Sequence, residues 1–194
     1  GNTLFTSNGS GTLSSVNSSF SGAGPKLIST QNADNDTSIS FTSDIDSTYD
    51  RYMIVMTDVQ PSSANVHFRF NGSTDGGSNY NVTKTTTSWR ATHQTGTYYF
   101  GYVDHSDLAQ STDYQILGRE LGSDSDESFC GVLNIFSPSS TTYVKQFYAE
   151  TIWFNDYGGE GSMHYFIAGY MNTTSAVDAI DFNMASGNVN VGKF

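Results

Sequence analysis

The sequence contains a single cysteine, Cys130, so the chain can form no internal disulfide and no thiolate metal site of its own. Its stability must therefore come from a hydrophobic core or from neighbouring subunits. Cys130 lies in the apolar run ESFCGVLNIF, and this setting predicts a buried, unreactive thiol. A reactive or intersubunit cysteine is the alternative.

Basic residues are scarce as well, with 8 Lys and Arg against 19 Asp and Glu and a formal net charge of −11. A chain of this charge is repelled by a phosphate backbone, so we expect no nucleic-acid partner. Strong helix formers such as Leu and Glu are also few, and no long window places apolar residues at intervals of three and four. These two absences exclude a helical bundle.

Long apolar segments are missing too. No run approaches the ~18 residues needed to span a bilayer. The first residues, GNTLFTSNGSGTLSSVNSSF, show neither the positive nor the apolar part of a signal peptide. We therefore expect no membrane partner.

Short runs of apolar and aromatic residues alternate, from Pro25 onward, with turn clusters rich in Gly, Asn, Asp and Ser. Segments 65–70 and 180–184 alternate between apolar and polar residues, so each is expected to have one buried and one solvated face. The pattern predicts one all-β domain over residues 25–194. Its architecture is expected to be an antiparallel two-sheet sandwich in a jelly-roll-like order.

The N-terminal residues 1–24 have a different composition, dominated by Ser, Gly, Asn and Thr. The isolated apolar residues in this segment are Leu4, Phe5, Leu13, Val16 and Phe20. They are too sparse to form a core alone. We predict an extended N-terminal arm that anchors the domain on another copy or on a different protein.

The stretch NGSTDGGSNYNVTKTTT, residues 71–87, has the composition of a calcium loop. An EF-hand loop requires oxygen ligands at alternate positions and a closing Glu, whereas Asp75 is the only carboxylate here. We interpret the stretch as a turn after a strand, with Gly76 and Gly77 at positive φ, followed by the next extended run.

Denser acidic clusters occur at three other places. They are Asp34 with Asp36, Asp44 with Asp46 and Asp50, and Asp124 with Asp126 and Glu127. Such clusters suit a hard cation better, yet acidic residues on a chain of this charge commonly keep loops solvated. We predict no bound metal and no cofactor.

Glycosylation sequons are frequent, but Ser and Thr are so abundant that chance produces several of them. They lie at Asn8, Asn17, Asn35, Asn71, Asn81 and Asn172. We assign them no function.

A catalytic site requires a nucleophile with a base and an orienting group, or a suitable pair of carboxylates. The sequence has four histidines, at His67, His93, His105 and His164. The segment DHSD, residues 104–107, places an Asp on each side of His105, but no nucleophile-elbow or zinc motif frames it. His67 is expected on the solvated side of a strand. We predict no catalytic residue and no enzymatic activity.

Aromatic residues make up 14% of the chain, with 12 Tyr, 13 Phe and 2 Trp. The runs TYYFGY and FYAETIWF place aromatics on both faces of a strand, so part of each must lie outside a two-layer core. An interface between subunits is the favoured use of these side chains, and a platform for glycans is the alternative.

From about Phe41 onward the chain resembles small structural proteins of tailed bacteriophage virions. The resemblance rests on the phrases FTSDIDSTYDRYMIVMTDVQP, GSTDGGSNYNVTKTTT, DLAQSTDYQ, FSPSSTTYVKQFYAET and AGYMNTTSAVDAIDFNMASGNVNVGKF, in that order. It implies a β-rich homotrimer on the surface of the particle, in contact with other virion proteins. Either capsid decoration or a tail-fibre role fits this resemblance, although the lack of a collagen-like or heptad stalk weakens the long-fibre version.

Our leading hypothesis is therefore a non-enzymatic virion protein that assembles with copies of itself. A carbohydrate-binding or receptor-binding module that uses Tyr and Trp, with a host surface glycan as partner, is the alternative. A glycan hydrolase or lyase is disfavoured because no framed pair of carboxylates is evident.

Overall fold

A computed structural model describes residues 24–155 and 161–194 and, before them, only the backbone of two short strands. The described residues form strands and one 3₁₀ turn but no α-helix. Among these residues there is thus no helix long and apolar enough to cross a membrane. The chain divides into one unit of residues 1–30 and a second of residues 31–194.

In the first unit, strand β1 (Phe5–Ser7) pairs antiparallel with strand β2 (Leu13–Val16). The rest of the arm predicted over residues 1–24, together with the side chains expected to anchor it, lies outside the described residues. The anchor therefore stays a prediction.

The second unit contains a large antiparallel sheet of eight strands. From one edge to the other these are β3 (Asn32–Asp36), β14 (Val189–Lys193), β5 (Arg51–Pro61), β10 (Phe129–Phe136), β11 (Lys145–Asn155), β12 (Gly161–Met171), β7 (Lys84–Gln94) and β8 (Thr97–Tyr102). Four of these strands have eleven residues, and three of the four, β11, β12 and β7, are adjacent and pair in continuous register.

A smaller antiparallel sheet of four strands forms the other layer. It consists of β4 (Ile39–Phe41), β13 (Ala179–Met184), β6 (Val66–Ser73) and β9 (Gln115–Leu121). The prediction of an all-β chain with two antiparallel sheets is confirmed, and the architecture is consistent with a sandwich. The jelly-roll-like order stays a prediction.

Phenylalanine contacts between the two sheets form the centre of the core. Phe68 of β6 meets Phe129 of β10 with ring centroids 4.9 Å apart, and Phe70 meets Phe147 of β11 edge to face at 5.2 Å. All four side chains are almost completely buried. Aromatic pairs in this geometry stabilise a core by ~0.5 to 1.5 kcal/mol beyond the burial of their area.

The alternation predicted for segments 65–70 and 180–184 is present, with one exception on β13. The apolar residues of both segments are buried, but Asp181 on the supposedly solvated face is also only 2% exposed. Its carboxylate accepts hydrogen bonds from Ser40 Oγ at 2.5 Å and Tyr114 Oη at 3.0 Å. Its burial is tolerated because these donors replace water.

Cys130 is half-buried, so the prediction of a buried thiol is wrong. The run FCGVLNIF alternates like any strand: Phe129, Leu133 and Ile135 point into the core and Cys130 points to the opposite face. The backbone N–H of Asp58 approaches its Sγ at 3.5 Å. An apolar run alone did not reveal which face each residue occupies.

The loop that follows β6 is the turn predicted from its sequence. Gly76 and Gly77 adopt φ angles of +69° and +85°, which glycine tolerates best. The Asp75 carboxylate accepts hydrogen bonds from Ser73 Oγ at 2.6 Å, from the Asn79 backbone at 2.9 Å and from the Asn79 amide at 2.7 Å. The Asn79 side chain, and then Ser73, lower the pKa of Asp75 to about 2. The carboxylate thus holds its own loop together.

Two lysines are buried at one end of the sandwich. Lys145, Met171 and Lys84 lie side by side on β11, β12 and β7, and the accessibility of both lysines is 0%. The Lys84 ammonium donates to Asn71 Oδ1 at 2.5 Å and to the carbonyl of Val82 at 2.7 Å. A cation is thus enclosed without a carboxylate among these contacts.

Lys145 ends in a similar cradle of backbone carbonyls. Its ammonium donates to the carbonyls of Ser140, Tyr143 and Thr173 at 2.6 to 3.0 Å. Burial lowers the pKa of both lysines, and lowers that of Lys84 to about 7 even though the charge of Asp113 acts in the opposite direction. The two lysines therefore tie the loops at this end of the sheets to the strands.

The pKa of Lys84 generates a prediction about stability and pH. Unfolded, this lysine titrates near pH ~10.4, so between pH 7 and 10 the unfolded chain binds more protons than the folded one. Stability from this residue is therefore lowest below pH 7 and rises with pH. Relative to Lys84→Met, we expect the wild type to gain up to about 3 kcal/mol in unfolding free energy between pH 6.5 and pH 9.5.

Urea denaturation of both proteins at the two pH values measures this difference. Lys193→Met, at an exposed lysine of β14, is the matched control and should show no such pH-dependent gap. A wild-type unfolding free energy that does not rise relative to that of Lys84→Met between pH 6.5 and pH 9.5 would contradict the burial argument.

Candidate functional site

The outer face of the large sheet is unusually rich in exposed aromatic and aliphatic side chains. On β11, Phe147 and Trp153 point inward, whereas Tyr148, Ile152 and Phe154 alternate with them and point outward. The exposed large apolar and aromatic side chains on this face are Met53, Val55, Trp89, Tyr98, Phe100, Tyr102, Tyr148, Ile152 and Phe154. We call this surface the outer aromatic face. Large exposed apolar surfaces mark sites of interaction.

A continuous row crosses this face from β11 to β8. Glu150, Phe166, Trp89 and Tyr102 are direct neighbours in register on β11, β12, β7 and β8. Glu150 is the only acidic or basic residue among the outward residues of these four strands, histidines apart. Its Oε1 lies 2.9 Å from Nε2 of His164. The ring centroid of His164 lies 4.2 Å from that of Phe166, with the two rings tilted by 39°.

A shallow depression of about 290 Å³ opens in the outer aromatic face beside this row. Its floor is formed by Ala168 of β12, whose neighbours in register are Tyr148 and Thr87. Trp89 and Phe166 complete its aromatic lining, and Glu150 is the charged residue among those that line it. The depression is therefore apolar with one charged group.

Strand β8 is the edge of the large sheet and is exposed on both sides. Tyr98 and Phe100 are 86% and 71% exposed on the outer face, and Tyr99 on the opposite face is 43% exposed. The Arg90 guanidinium lies 5.0 Å from the ring of Tyr99. No residue of β8 is buried, so the smaller sheet does not cover this strand.

The cover provided by the smaller sheet ends along β7. Lys84, Thr86 and Ser88 on the inner face of β7 are buried, and Thr86 Oγ1 is hydrogen-bonded to Gln115 Oε1 of β9 at 2.7 Å. Beyond Ser88 the inner residues become partly exposed, beginning with Arg90. The second half of β7 and all of β8 thus extend past the core.

The acidic and histidine candidates from the sequence do not converge. The segment DHSD forms the 3₁₀ turn Asp104–Ser106, where His105 Nδ1 lies 3.2 Å from Asp104 Oδ1 and both side chains are largely exposed. His67, expected to face solvent, is half-buried, and its Nδ1 accepts the backbone N–H of Glu120 at 3.2 Å. Burial, with Arg119 as a further cause, lowers the pKa of His67.

The acidic clusters use their carboxylates within their own loops. Asp46 accepts the backbone N–H of Thr48 at 2.8 Å, and this contact is the main cause of its lowered pKa. Glu127 is buried and its Oε2 accepts the backbone N–H of Asp124 at 2.9 Å. Within residues 24–155 and 161–194, no group of three or more His, Cys, Asp or Glu side chains is arranged to hold a metal ion.

One predicted glycosylation sequon is unusable in the folded protein. Asn71 is fully buried and its amide donates to the carbonyls of Tyr80 and Thr112 at 2.7 and 3.0 Å. The sequons on described and exposed residues are Asn35, Asn81 and Asn172. Asn8 and Asn17 lie outside the described residues.

Comparisons with known proteins add no relative. No protein family, no curated protein and no solved structure matches the chain. The site must therefore be interpreted from its own chemistry.

The exposure of the outer aromatic face predicts that it adds little to folding stability. Ile152 on the outer face of β11 is 50% exposed, whereas Ile135 on the neighbouring strand β10 is fully buried. We expect Ile152→Ala to lower the unfolding free energy by less than about 1 kcal/mol, and Ile135→Ala to lower it by ~2 to 5 kcal/mol. Denaturant unfolding of the two variants measures this, and equal losses would mean that the outer face is part of the core.

Proposed function

We propose that the protein is a non-enzymatic structural protein of a tailed-phage virion, exposed on the particle as a capsid decoration or as part of a tail fibre. It assembles with copies of itself through the edge strand β8, and a homotrimer, in which β8 of each copy contacts a different surface of the next copy, is the favoured state. The virion context and the trimer are inferred from the sequence phrases that resemble such proteins. The site of assembly is inferred from the geometry of β8.

The observation that supports assembly is that β8 is an edge strand with no second partner strand among the described residues and with aromatic side chains on both faces. An exposed edge presents unpaired backbone N–H and carbonyl groups that readily pair with another chain. Tyr98, Phe100 and Tyr102 on one face and Tyr99 on the other would add apolar contact to that pairing. Tyr is also among the residue types enriched at protein interfaces.

The other sheet edges have features that discourage pairing. Strand β3 at the opposite edge has the sequence NADND, with two exposed carboxylates. In the smaller sheet, β4 has three residues and β9 pairs irregularly with β6. Strand β8 has no charge and no proline. Short, charged or irregular edges are the usual protection against unwanted pairing, and β8 lacks all of them.

The polar groups of the described surface support a non-enzymatic role. The Asp104–His105 pair joins sequence neighbours at an exposed turn. The Glu150–His164 pair lies on the solvent-exposed face of the sheet, and no nucleophilic side chain is among the described contacts of either residue. Catalysis needs a nucleophile, a base and an orienting group within reach of one another. Neither pair supplies this set.

Self-assembly can be tested with one substitution on strand β8 and a matched substitution on the opposite edge strand, β3. The wild type should be a multimer at micromolar concentration, and Phe100→Glu should shift it towards monomer, because a buried unpaired charge disrupts an interface. Light scattering coupled to size exclusion gives the mass. Asn32→Glu introduces the same residue at the exposed opposite edge and should leave the mass unchanged. A monomeric wild type, or a Phe100→Glu protein that stays assembled, would refute assembly through β8.

The arm supplies a second test, directed at the virion role. Burial of its five large apolar residues offers ~1.5 to 3 kcal/mol each, which does not offset the ~1 to 2 kcal/mol cost of ordering each of some two dozen residues. A partner must therefore contribute. Deleting residues 1–24 should leave the melting temperature of the remaining domain nearly unchanged and abolish incorporation into particles.

The control for the deletion is a full-length chain in which the five apolar residues of the arm are replaced by Ser. It should also fail to enter particles, since it keeps the length but loses the contacts. Normal incorporation of either variant, or a truncated domain that does not fold, would contradict the anchoring role.

A carbohydrate-binding module is the second candidate, and the exposed Trp89 and Tyr148 favour it because sugars stack on such rings. The polar groups around them are few, however. In the depression between them, only Thr87 and Glu150 offer side-chain oxygens other than the Tyr148 hydroxyl. A sugar ring with several hydroxyls would leave most of them without a partner on the protein.

A further inference from the structure

The depression on the outer aromatic face lies where a small side chain interrupts a layer of large ones. Ala168 is flanked in register by Tyr148 and Thr87, and the next outward row carries Phe166 and Trp89. Because side chains stand roughly perpendicular to a sheet, the larger neighbours rise around Ala168 and leave a hollow of about 290 Å³. This volume is near the lower end of the ~300 to 1,000 Å³ typical of small-ligand sites.

The lining combines three aromatic rings with a single carboxylate. Trp89 is 54% exposed, and the Glu150 side chain is 57% exposed. Glu150 is oriented by His164, whose Nε2 lies 2.9 Å from its Oε1. Electron-rich ring faces and a carboxylate both attract positive charge. The formal net charge of −11 acts in the same direction and disfavours anions.

The scarcity of hydrogen-bonding groups narrows the ligand further. A sugar needs partners for many hydroxyls, and an ammonium with N–H groups needs several acceptors. A neutral hydrocarbon would desolvate the Glu150 carboxylate without compensation. A quaternary ammonium group carries a positive charge but no N–H, and its methyl groups suit an apolar hollow.

We propose that the depression formed by Ala168, Tyr148, Trp89, Phe166 and Glu150 binds a quaternary ammonium group of the choline type. The rings contact the methyl groups and Glu150 supplies the countercharge. This inference does not rest on the virion role or on assembly through β8, because it uses only the lining of one hollow on β7, β11 and β12.

The test is calorimetric titration of the full-length protein with choline chloride. The matched probe is the uncharged tert-butyl analogue of choline, in which carbon replaces the quaternary nitrogen. Choline should bind at least about five times more tightly than this analogue, since only the charge differs. Sodium chloride is added to the titration with the uncharged analogue so that both titrations have the same ionic strength. Any difference in affinity then does not arise from screening of charges by salt.

Variants then locate the site. Glu150→Gln and Trp89→Leu should each weaken choline binding by at least about threefold, because one removes the countercharge and the other an aromatic face. Tyr148→Leu provides a third substitution in case either variant folds poorly. Tyr143→Leu, at a 74% exposed tyrosine outside the depression, should change nothing.

Choline binding that depends on Glu150 and Trp89 and exceeds that of the analogue supports the site. Equal binding of the analogue, no binding of either probe, binding unaffected by the variants, or tighter binding of a neutral methyl glycoside would each overturn it. The last result would favour a carbohydrate site instead.

Discussion

The edge-to-face contacts of Phe68 with Phe129 and of Phe70 with Phe147 join the two sheets, and the remaining structure depends on where this joint lies. It attaches a layer of four strands to the middle of a layer of eight. Two layers of such different width cannot cover each other completely. The uncovered part of the wider sheet therefore remains as surface, and its residues determine what the protein presents to other molecules.

The outer face of the wider sheet, which points away from the smaller sheet, is apolar rather than charged from β11 to β8, although the chain is rich in acidic residues. Most carboxylates lie in loops or on the far edge strand β3, whereas the outward row from β11 to β8 carries Glu150 alone. Two copies that approach through β8 would bring few like charges together, so the charge that keeps the molecules apart elsewhere is weakest there. The charge distribution and the exposure of β8 thus both favour this surface for contact between copies.

Sequence alternation was sufficient to predict the fold class and the turn at Gly76 and Gly77, because strand period and positive φ are local properties. The runs TYYFGY and FYAETIWF also indicated aromatics outside the core, in agreement with the exposure of Tyr98 and Phe100. These features need no knowledge of which strands are neighbours.

The features that sequence reasoning missed depend on neighbours distant in the chain. The hollow over Ala168 exists because β11, β12 and β7 align Tyr148, Ala168 and Thr87 in one row. Cys130 was assigned to the wrong face because its run is apolar on both sides. Asp181 was expected to be solvated, yet Ser40 and Tyr114 cover it. Its burial follows from tertiary contacts that no local pattern encodes.

The burial of Lys84 and Lys145 has a practical consequence for chemistry done on this protein. The chain has four lysines, so the two that are enclosed by loop oxygens leave only Lys26 and Lys193 as exposed primary side-chain amines. Among side-chain amines, dyes and cross-linkers would therefore attach to Lys26, which lies outside the strands, and to Lys193 at the end of β14, and would spare the other strands of both sheets. Lys26 precedes the first strand of the second unit, so trypsin acting on the native protein would meet an exposed lysine between the N-terminal segment and the sandwich.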